Sequence, residues 1–335
     1  MTQTAGSTDT FDSAALKESL DSVIWDLFPA DTYFISNVDK VNVGNTQHQW
    51  VFDTLKAAAA NKQLEGDAFT AATLLTATRV SNYTQISNKS ILITGTHQAT
   101  DTVGGNPMGR AVLKSMKELK RDMEFTCLGV QGSSAGATGT ARATAGVLAW
   151  IWGQGADIPG NTVRAKAAGT GANTTGTCPS YASSACVGST VGTTGTVAMT
   201  IADIVEGLQL AWEDGGEVDT ILASSAQKNV LDTLTSQATR MIDLSKLDKL
   251  PITNSANVIV TSYGTCKIIL SRYLGRTHAI GFDLPMWALG QLRAPKVTDM
   301  AKREDGDAKL LVAEYTVIAR NPNSSCAWQW MYPGA

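Results

Sequence analysis

The segment from Met108 to Leu128 constrains the fold more than any other part of the chain. Val112, Met116, Leu119 and Met123 recur at helical spacing and form one apolar stripe, while Arg110, Lys114, Lys117, Glu118 and Arg121 fall mostly off it. Gly104-Gly105-Asn106-Pro107 precedes the run. A helix of this length spans about 30 Å, enough to form the backbone of a flat domain. Its basic residues read as a solvated face with intrahelical pairs such as Lys114 with Glu118, or as a face turned to a neighbour. A grip on nucleic acid is the weaker reading, because 27 basic residues stand against 30 acidic ones for a net charge of -3.

The rest of the chain arranges itself around this helix. Asp12 to Phe28 predicts an amphipathic helix, with Ser13 as cap, Leu16, Leu20, Val23 or Ile24, and Leu27 as its stripe, and Pro29 as its stop. Phe34 to Val43 reads as short and extended. From Gln47 to Ile93 the pattern turns to strands: Gln49-Trp50-Val51-Phe52 and Tyr83-Thr84-Gln85-Ile86 flank a polar, Ala-rich middle that includes Ala57 to Ala60 and Leu64-Glu65-Gly66-Asp67. This predicts a projecting hairpin, and a two-stranded hairpin is marginal in water unless something supports it. Ser90 to Thr94 reads as a further short strand.

Gln131 to Ala198 is dominated by Gly, Ala, Thr and Ser, with one apolar island at Val147 to Trp152, so the core is expected to resume at Met199. Beyond it, Ile201 to Glu213 predicts a helix with Ile204, Val205, Leu208 and Trp212 on one face, ended by Gly215-Gly216. Thr220 to Ala223 reads as a strand and Ser225 to Thr235 as a helix. Asn257 to Thr261 and Lys267 to Leu270 form a strand pair around Tyr263-Gly264-Thr265. Met286 to Gly290, Leu310 to Arg320 and Ala327 to Met331 are the final strands. Regular βαβ alternation is missing, which makes the fold class α+β.

Motifs for chemistry are weak. His48, His97 and His278 lie outside any nucleophile motif and read as structural. The glycines of Gly132 to Gly146 and Gly169-Thr170-Gly171 lack the lysine and the strand-turn-helix frame of a phosphate loop. Asp299, Glu304, Asp305 and Asp307 interleave with Lys302, Arg303 and Lys309, so a solvated or intersubunit loop is the better reading than a metal site. Asn82-Tyr83-Thr84 matches a glycosylation sequon without any secretion signal to give it meaning. No catalytic, cofactor or metal residue is assigned, and no stretch is long and apolar enough for a membrane span. Five cysteines are an odd count without a C-x-x-C pair. Only Cys178 and Cys186 sit close together in sequence, either as a disulfide or as two free thiols; peptide mapping without reductant separates the two.

Several strings, in order along the chain, resemble the SU10-like family of tailed-phage major head proteins. They are Thr46-Gln47-His48-Gln49-Trp50, Glu65-Gly66-Asp67, the run Thr78 to Ile86, and Lys117 to Glu124 in the long helix. Gly215-Gly216, Asp219-Thr220-Ile221-Leu222, Gln227-Lys228, Asp283 to Ala288, Glu314 to Val317 and Arg320-Asn321 continue the series. The stretch near 155 to 198 departs from the family's pattern. So does Met300 to Asp307, where the family often reads Leu-Ala-Lys-Thr-Gly-Asp.

The resemblance implies an HK97-type capsid fold. It divides the chain into an N-terminal arm (1–46), an extended E-loop (47–93), a P-domain (94–199) with its spine helix at 108–128 and a Gly/Thr-rich insert at 156–198, an A-domain (200–295) and a P-domain return (296–335). It also implies a structural protein, not an enzyme, with Trp50, Glu65, Gly66, Asp67, Arg79 and Tyr83 as assembly contacts. The expected partners are further copies in pentamers and hexamers, with portal, scaffolding and decoration proteins. The shell would enclose double-stranded DNA without reading its sequence, be assembled in the bacterial host cytoplasm and reside in the virion. Few residues precede the first helix, which predicts no fused scaffolding domain. An encapsulin-like compartment is the alternative with the same fold.

Overall fold

Two sheets, each backed by helices, hold the buried residues, and both draw strands from distant parts of the sequence. The computed structural model describes residues 31–53, 55–56, 58–62, 64–66, 77–100, 105–155, 199–237, 258–302 and 305–328. The helix expected at Asp12 to Phe28, Asp67 in the hairpin, and the insert at 156–198 with Cys178 and Cys186 lie outside these residues.

The described chain begins with α1 (Tyr33–Asn37), β1 (Asp39–Asn42), β2 (Gln47–Phe52), β3 (Thr78–Tyr83), β4 (Gln85–Thr94), α2 (Gly95–Ala99), α3 (Pro107–Leu128) and α4 (Val147–Gly155). It continues through α5 (Ile201–Glu213), β5 (Thr220–Ala223), α6 (Ser225–Gln237), β6 (Val258–Thr261), β7 (Gly264–Leu270) and β8 (Ala279–Phe282). The last strands are β9 (Trp287–Asp299), β10 (Gly306–Ala319) and β11 (Cys326–Trp328).

The first sheet has the order β1-β9-β10-β4. β9 and β10 form its antiparallel centre, β4 runs antiparallel along the other side of β10, and β1 joins β9 in parallel. α3 lies against β4 and β10. It starts where the Asn106 side chain accepts from the Met108 and Gly109 amides, with Pro107 in the first turn, where its missing N–H costs nothing. Its inner face buries Leu119, Met123, Cys127 and Leu128.

The second sheet has the order β11-β8-β5-β7-β6, with β5 and β7 parallel and the other neighbours antiparallel. α5 covers it through a capping box in which Thr200 and Asp203 satisfy each other's backbone N–H groups. Gly207 lets this helix approach β11: a Cβ there would stand 2.8 Å from the Trp328 ring, whose Nε1 donates to the Asp203 carbonyl. Gly215, at φ +79°, takes the left-handed conformation that ends α5. Trp150, Trp287, Trp328, Tyr315, Phe34 and Phe282 are all essentially inaccessible. Each contributes about 2 to 3 kcal/mol of burial.

Four local expectations differ from the structure. Phe34 to Asn37 is helical, and only Asp39–Asn42 is extended. Thr32 supplies no side-chain cap; the buried Glu124 of α3 does so instead, accepting from Phe34 N at 2.8 Å and Ile35 N at 2.9 Å. Burial pushes the Glu124 carboxyl above its ordinary value, while the two amides pull it back. The apolar island at Val147 to Trp152 opens α4, whose Val147 to Ile151 are buried in the main core; a helix apolar all round belongs inside. The strand expected at Tyr83 to Ile86 is split at Thr84, with β3 before it in the hairpin and β4 after it in the first sheet. Trp212 is 58% exposed and faces Tyr263, while Ile204, Leu208 and Ala211 form the buried face of α5.

Replacing Glu124 removes a cap that α1 cannot supply for itself. Glu124→Ala is expected to lower the unfolding free energy by about 3 kcal/mol, with two buried N–H groups left unsatisfied. Glu124→Gln keeps one acceptor and should lose less. Urea denaturation checks both, with amide exchange at Phe34 and Ile35 reporting the cap directly.

Candidate assembly interface

β2 and β3 form an antiparallel hairpin in register from Gln47↔Tyr83 to Phe52↔Thr78. Its foot is bonded into the body. The Trp50 indole donates to the Ala319 carbonyl at 2.8 Å and packs at 5.4 Å from Trp150, and His48 stacks on it at 5.7 Å. Asn82 is fully buried. Its amide nitrogen donates to Val317 O at 2.8 Å, Thr144 Oγ1 at 3.1 Å and Ala145 O at 3.3 Å; its oxygen accepts from Tyr83 N and Ala145 N. Every hydrogen-bonding position of that amide is used.

Beside it lies Glu314, 3% exposed in the middle of β10. Its carboxylate accepts from Thr84 Oγ1 at 2.8 Å and Arg293 Nε at 2.9 Å, and pairs with Arg142. The β9–β10 register shifts on both sides of Glu314, as a bulge does where a side chain has to be re-aimed. The hairpin is therefore held at its foot by groups from the segment before α4, from α4 and from β10, and Arg293 of β9 braces Glu314 beside it.

Away from the foot the character reverses. Every described residue from Asp53 to Gly66 is exposed, Leu55 at 97% and Leu64 at 81%, and Val51 is exposed on β2. Glu65 and Gly66 form a turn in which Gly66 has φ +82°. Of the residues expected to make assembly contacts, Glu65, Gly66 and Arg79 are exposed, Tyr83 is half-buried, and Trp50 is engaged within the chain. The sequence reading passed over Asn82 and Thr84 as an inert sequon and gave no role to Thr144, Arg142 or Arg293. Glu314, a charge inside a strand otherwise built for burial, was the available signal.

The remaining candidates for chemistry are placed as follows. Lys309 pairs with Asp299 at 2.7 Å and Lys302 with Asp307 at 3.4 Å across the β9–β10 turn. Among the described residues no cluster of His, Cys, Asp or Glu has the arrangement of a metal site. Cys127, Cys266 and Cys326 are buried free thiols. His97 is exposed on α2, while burial lowers His48 and brings buried His278 down to about 4. No helix among the described residues is long and apolar enough to cross a membrane.

The sequence pattern of the SU10 major capsid protein family matches residues 2–329. The chain belongs to that family. The major capsid protein of Escherichia phage Phieco32 is 24% identical over 340 residues, 94% of each chain. Among solved structures, the capsid asymmetric unit of cyanophage A-1(L) superposes with a TM-score of 0.63 at 14% identity, over 96% of this chain and 98% of that one. A structure of the phage G major capsid and decoration proteins gives 0.53 at 9% identity, over 99% and 100%. The fold is that of phage major capsid proteins, and the family's role is structural: the chain is a shell component of a phage particle. An encapsulin-like compartment is not favoured.

Two outcomes follow from the foot and from His278. Asn82→Ala leaves the Val317 and Ala145 carbonyls and the Ala145 amide without that partner, and should cost about 3 kcal/mol. Amide exchange in Gln47 to Phe52 should accelerate more than in β9. His278 has a lowered folded pKa, so its contribution is full above the unfolded value of about 6.5 and is lost as pH falls toward 4. Over that interval stability should drop by up to about 3 kcal/mol, and His278→Gln should flatten the slope, read from urea midpoints against pH.

Proposed function

We propose that this chain builds an icosahedral head of HK97 type around double-stranded DNA, joining further copies in pentamers and hexamers. In this reading residues 1–46 are the N-terminal arm and 47–93 the E-loop, of which 85–93 lie in β4. The P-domain covers 94–199 with α3 as the spine helix and 156–198 as a surface insert. Residues 200–295 form the A-domain, and 296–335 return to the P-domain. The observation that carries the reading is the hairpin: its foot is fixed by a buried polar network, while Leu55 and Leu64 beyond it are left to solvent. Exposed apolar side chains on a rigidly footed arm suit a contact with a neighbouring subunit. Glu65, Gly66, Asp67, Arg79 and Tyr83 supply polar contacts there, and Trp50 acts by setting the hairpin's direction.

Contacts of this kind are heterologous, and they close into rings when the rotation allows. Many modest contacts then make a stable container. Portal and scaffolding proteins are the further partners such a head calls for, and the phage G particle with its decoration protein supports a third. The shell is assembled in the host cytoplasm and remains in the virion.

Deleting Ala57 to Ala72 tests the reading. The described residues of that segment are exposed, so the unfolding free energy of the subunit should stay within about 1 kcal/mol of the parent. The yield of closed shells, counted by electron microscopy, should fall by about a hundredfold. Normal shells from the deletion variant would show that the loop is dispensable.

A further inference from the structure

A groove of about 430 Å³ lies between α3 and strand β9. Ile35, Met116, Leu119, Met123, Val297 and Leu311 give it an apolar floor. Among the described residues, Lys40, Lys117, Lys120 and Lys296 also line it and no carboxylate does. Met116 belongs to the apolar stripe of α3 and yet is 42% exposed there. An apolar channel edged by one sign of charge suits an amphipathic, acidic occupant.

The sequence carries such a segment a few residues ahead of Ile35. Residues 12–28 read as a helix with Leu16, Leu20, Ile24 and Leu27 on one stripe. The same stretch holds Asp12, Glu18, Asp21 and Asp26 against a single Lys17. At 3.6 residues per turn, Asp12 and Asp26 lie on one flank of the stripe, about 40° and 80° from Leu16, and Asp21 lies on the other flank. Pro29 is the stop expected from the sequence, and Ile35 is already part of the groove's lining.

We propose that residues 12–28 dock as a helix in the α3–β9 groove of their own chain, with the leucine stripe on the apolar floor and the carboxylates toward the lysines. The link from Pro29 to Thr32 spans at most about 11 Å. That tether holds the segment at a high effective concentration near its own groove, ahead of a copy from another subunit. Docking would cover Met116 and place acidic groups beside four ammonium groups.

Photo-crosslinking on the full-length chain tests this. Met116→benzoylphenylalanine places the probe on the α3 wall and Lys296→benzoylphenylalanine on the β9 wall. Subunits in light and heavy isotopic form are mixed before assembly, illuminated and mapped by mass spectrometry. From both walls the crosslinks should fall within residues 12–28 and join peptides of one isotopic form. Lys117→Glu with Lys120→Glu should lower the yield by about threefold, and adding Asp12→Lys with Asp26→Lys should restore it. Mixed light–heavy crosslinks to residues 12–28 would place a second copy's segment in the groove and overturn the own-chain assignment. Crosslinks to residues 53–66 would give the groove to a neighbour's hairpin, and their absence from residues 12–28 would leave it without this occupant; either overturns the proposal. The readout lies within each chain, so it stands or falls separately from shell formation.

Discussion

Strand β10 has to bury a carboxylate, and much of the structure is arranged to make that tolerable. Glu314 is 3% exposed, and a carboxylate so far from water is strongly unfavourable unless it is paired and hydrogen-bonded. Its partners come from three places: Arg142 ahead of α4, Arg293 on β9 and Thr84 between the hairpin and β4. None of these is local to it. The carboxylate has all of these partners only when the residues around Thr84 and the segment before α4 are both in place. A buried ion cluster of this sort adds little net stability over an apolar one of the same volume. What it adds here is a fixed relation between the hairpin and the sheet.

That relation explains how a two-stranded ribbon is held in a defined direction. Trp50 reaches the Ala319 carbonyl and Asn82 the Val317 carbonyl, so both strands of the hairpin are bonded to the end of β10. Among the described residues from Asp53 to Gly66 no comparable hold is present, and Leu55 and Leu64 face solvent. A partner that covers those leucines gains apolar burial while the foot has already met part of the ordering cost. Stiffness at the foot and apolar exposure beyond it thus serve the same contact.

The sequence made some of this legible and hid the rest for identifiable reasons. α3, α5, β5 and the β6–β7 pair were readable because their signals are local: a helical stripe, a terminating Gly215, a run of β-branched residues, a turn at Gly264. α1 was hidden because its cap, Glu124, lies 90 residues away from Phe34. α4 was hidden by its setting, an apolar run inside a Gly/Thr-rich tract that reads as a loop. β4 was cut short because its partner β10 is specified only by tertiary pairing. The family strings located the hairpin without showing how it is held. Asn82 acts through Val317, 235 residues on, and no periodicity reports such a bond.

The two sheets meet at an aromatic joint that bears on how the subunit carries load. Phe34 of α1 packs 5.5 Å from Phe282 of β8, which meets Trp287 of β9 edge-on at 6.2 Å. Trp287 Nε1 donates to Ser325 Oγ, and the Asp283 amide donates to the same oxygen. Helix α1, the second sheet and the first sheet therefore share one closely packed cluster. Close-packed interiors resist continuous deformation, so a force applied at α1 is felt by both sheets together. In the proposed shell, subunits occupy positions that are not identical, and some part of each must adjust. The adjustment then falls on elements with few buried contacts, above all the hairpin beyond Phe52, while the joint at Phe34, Phe282 and Trp287 keeps the body the same in every position.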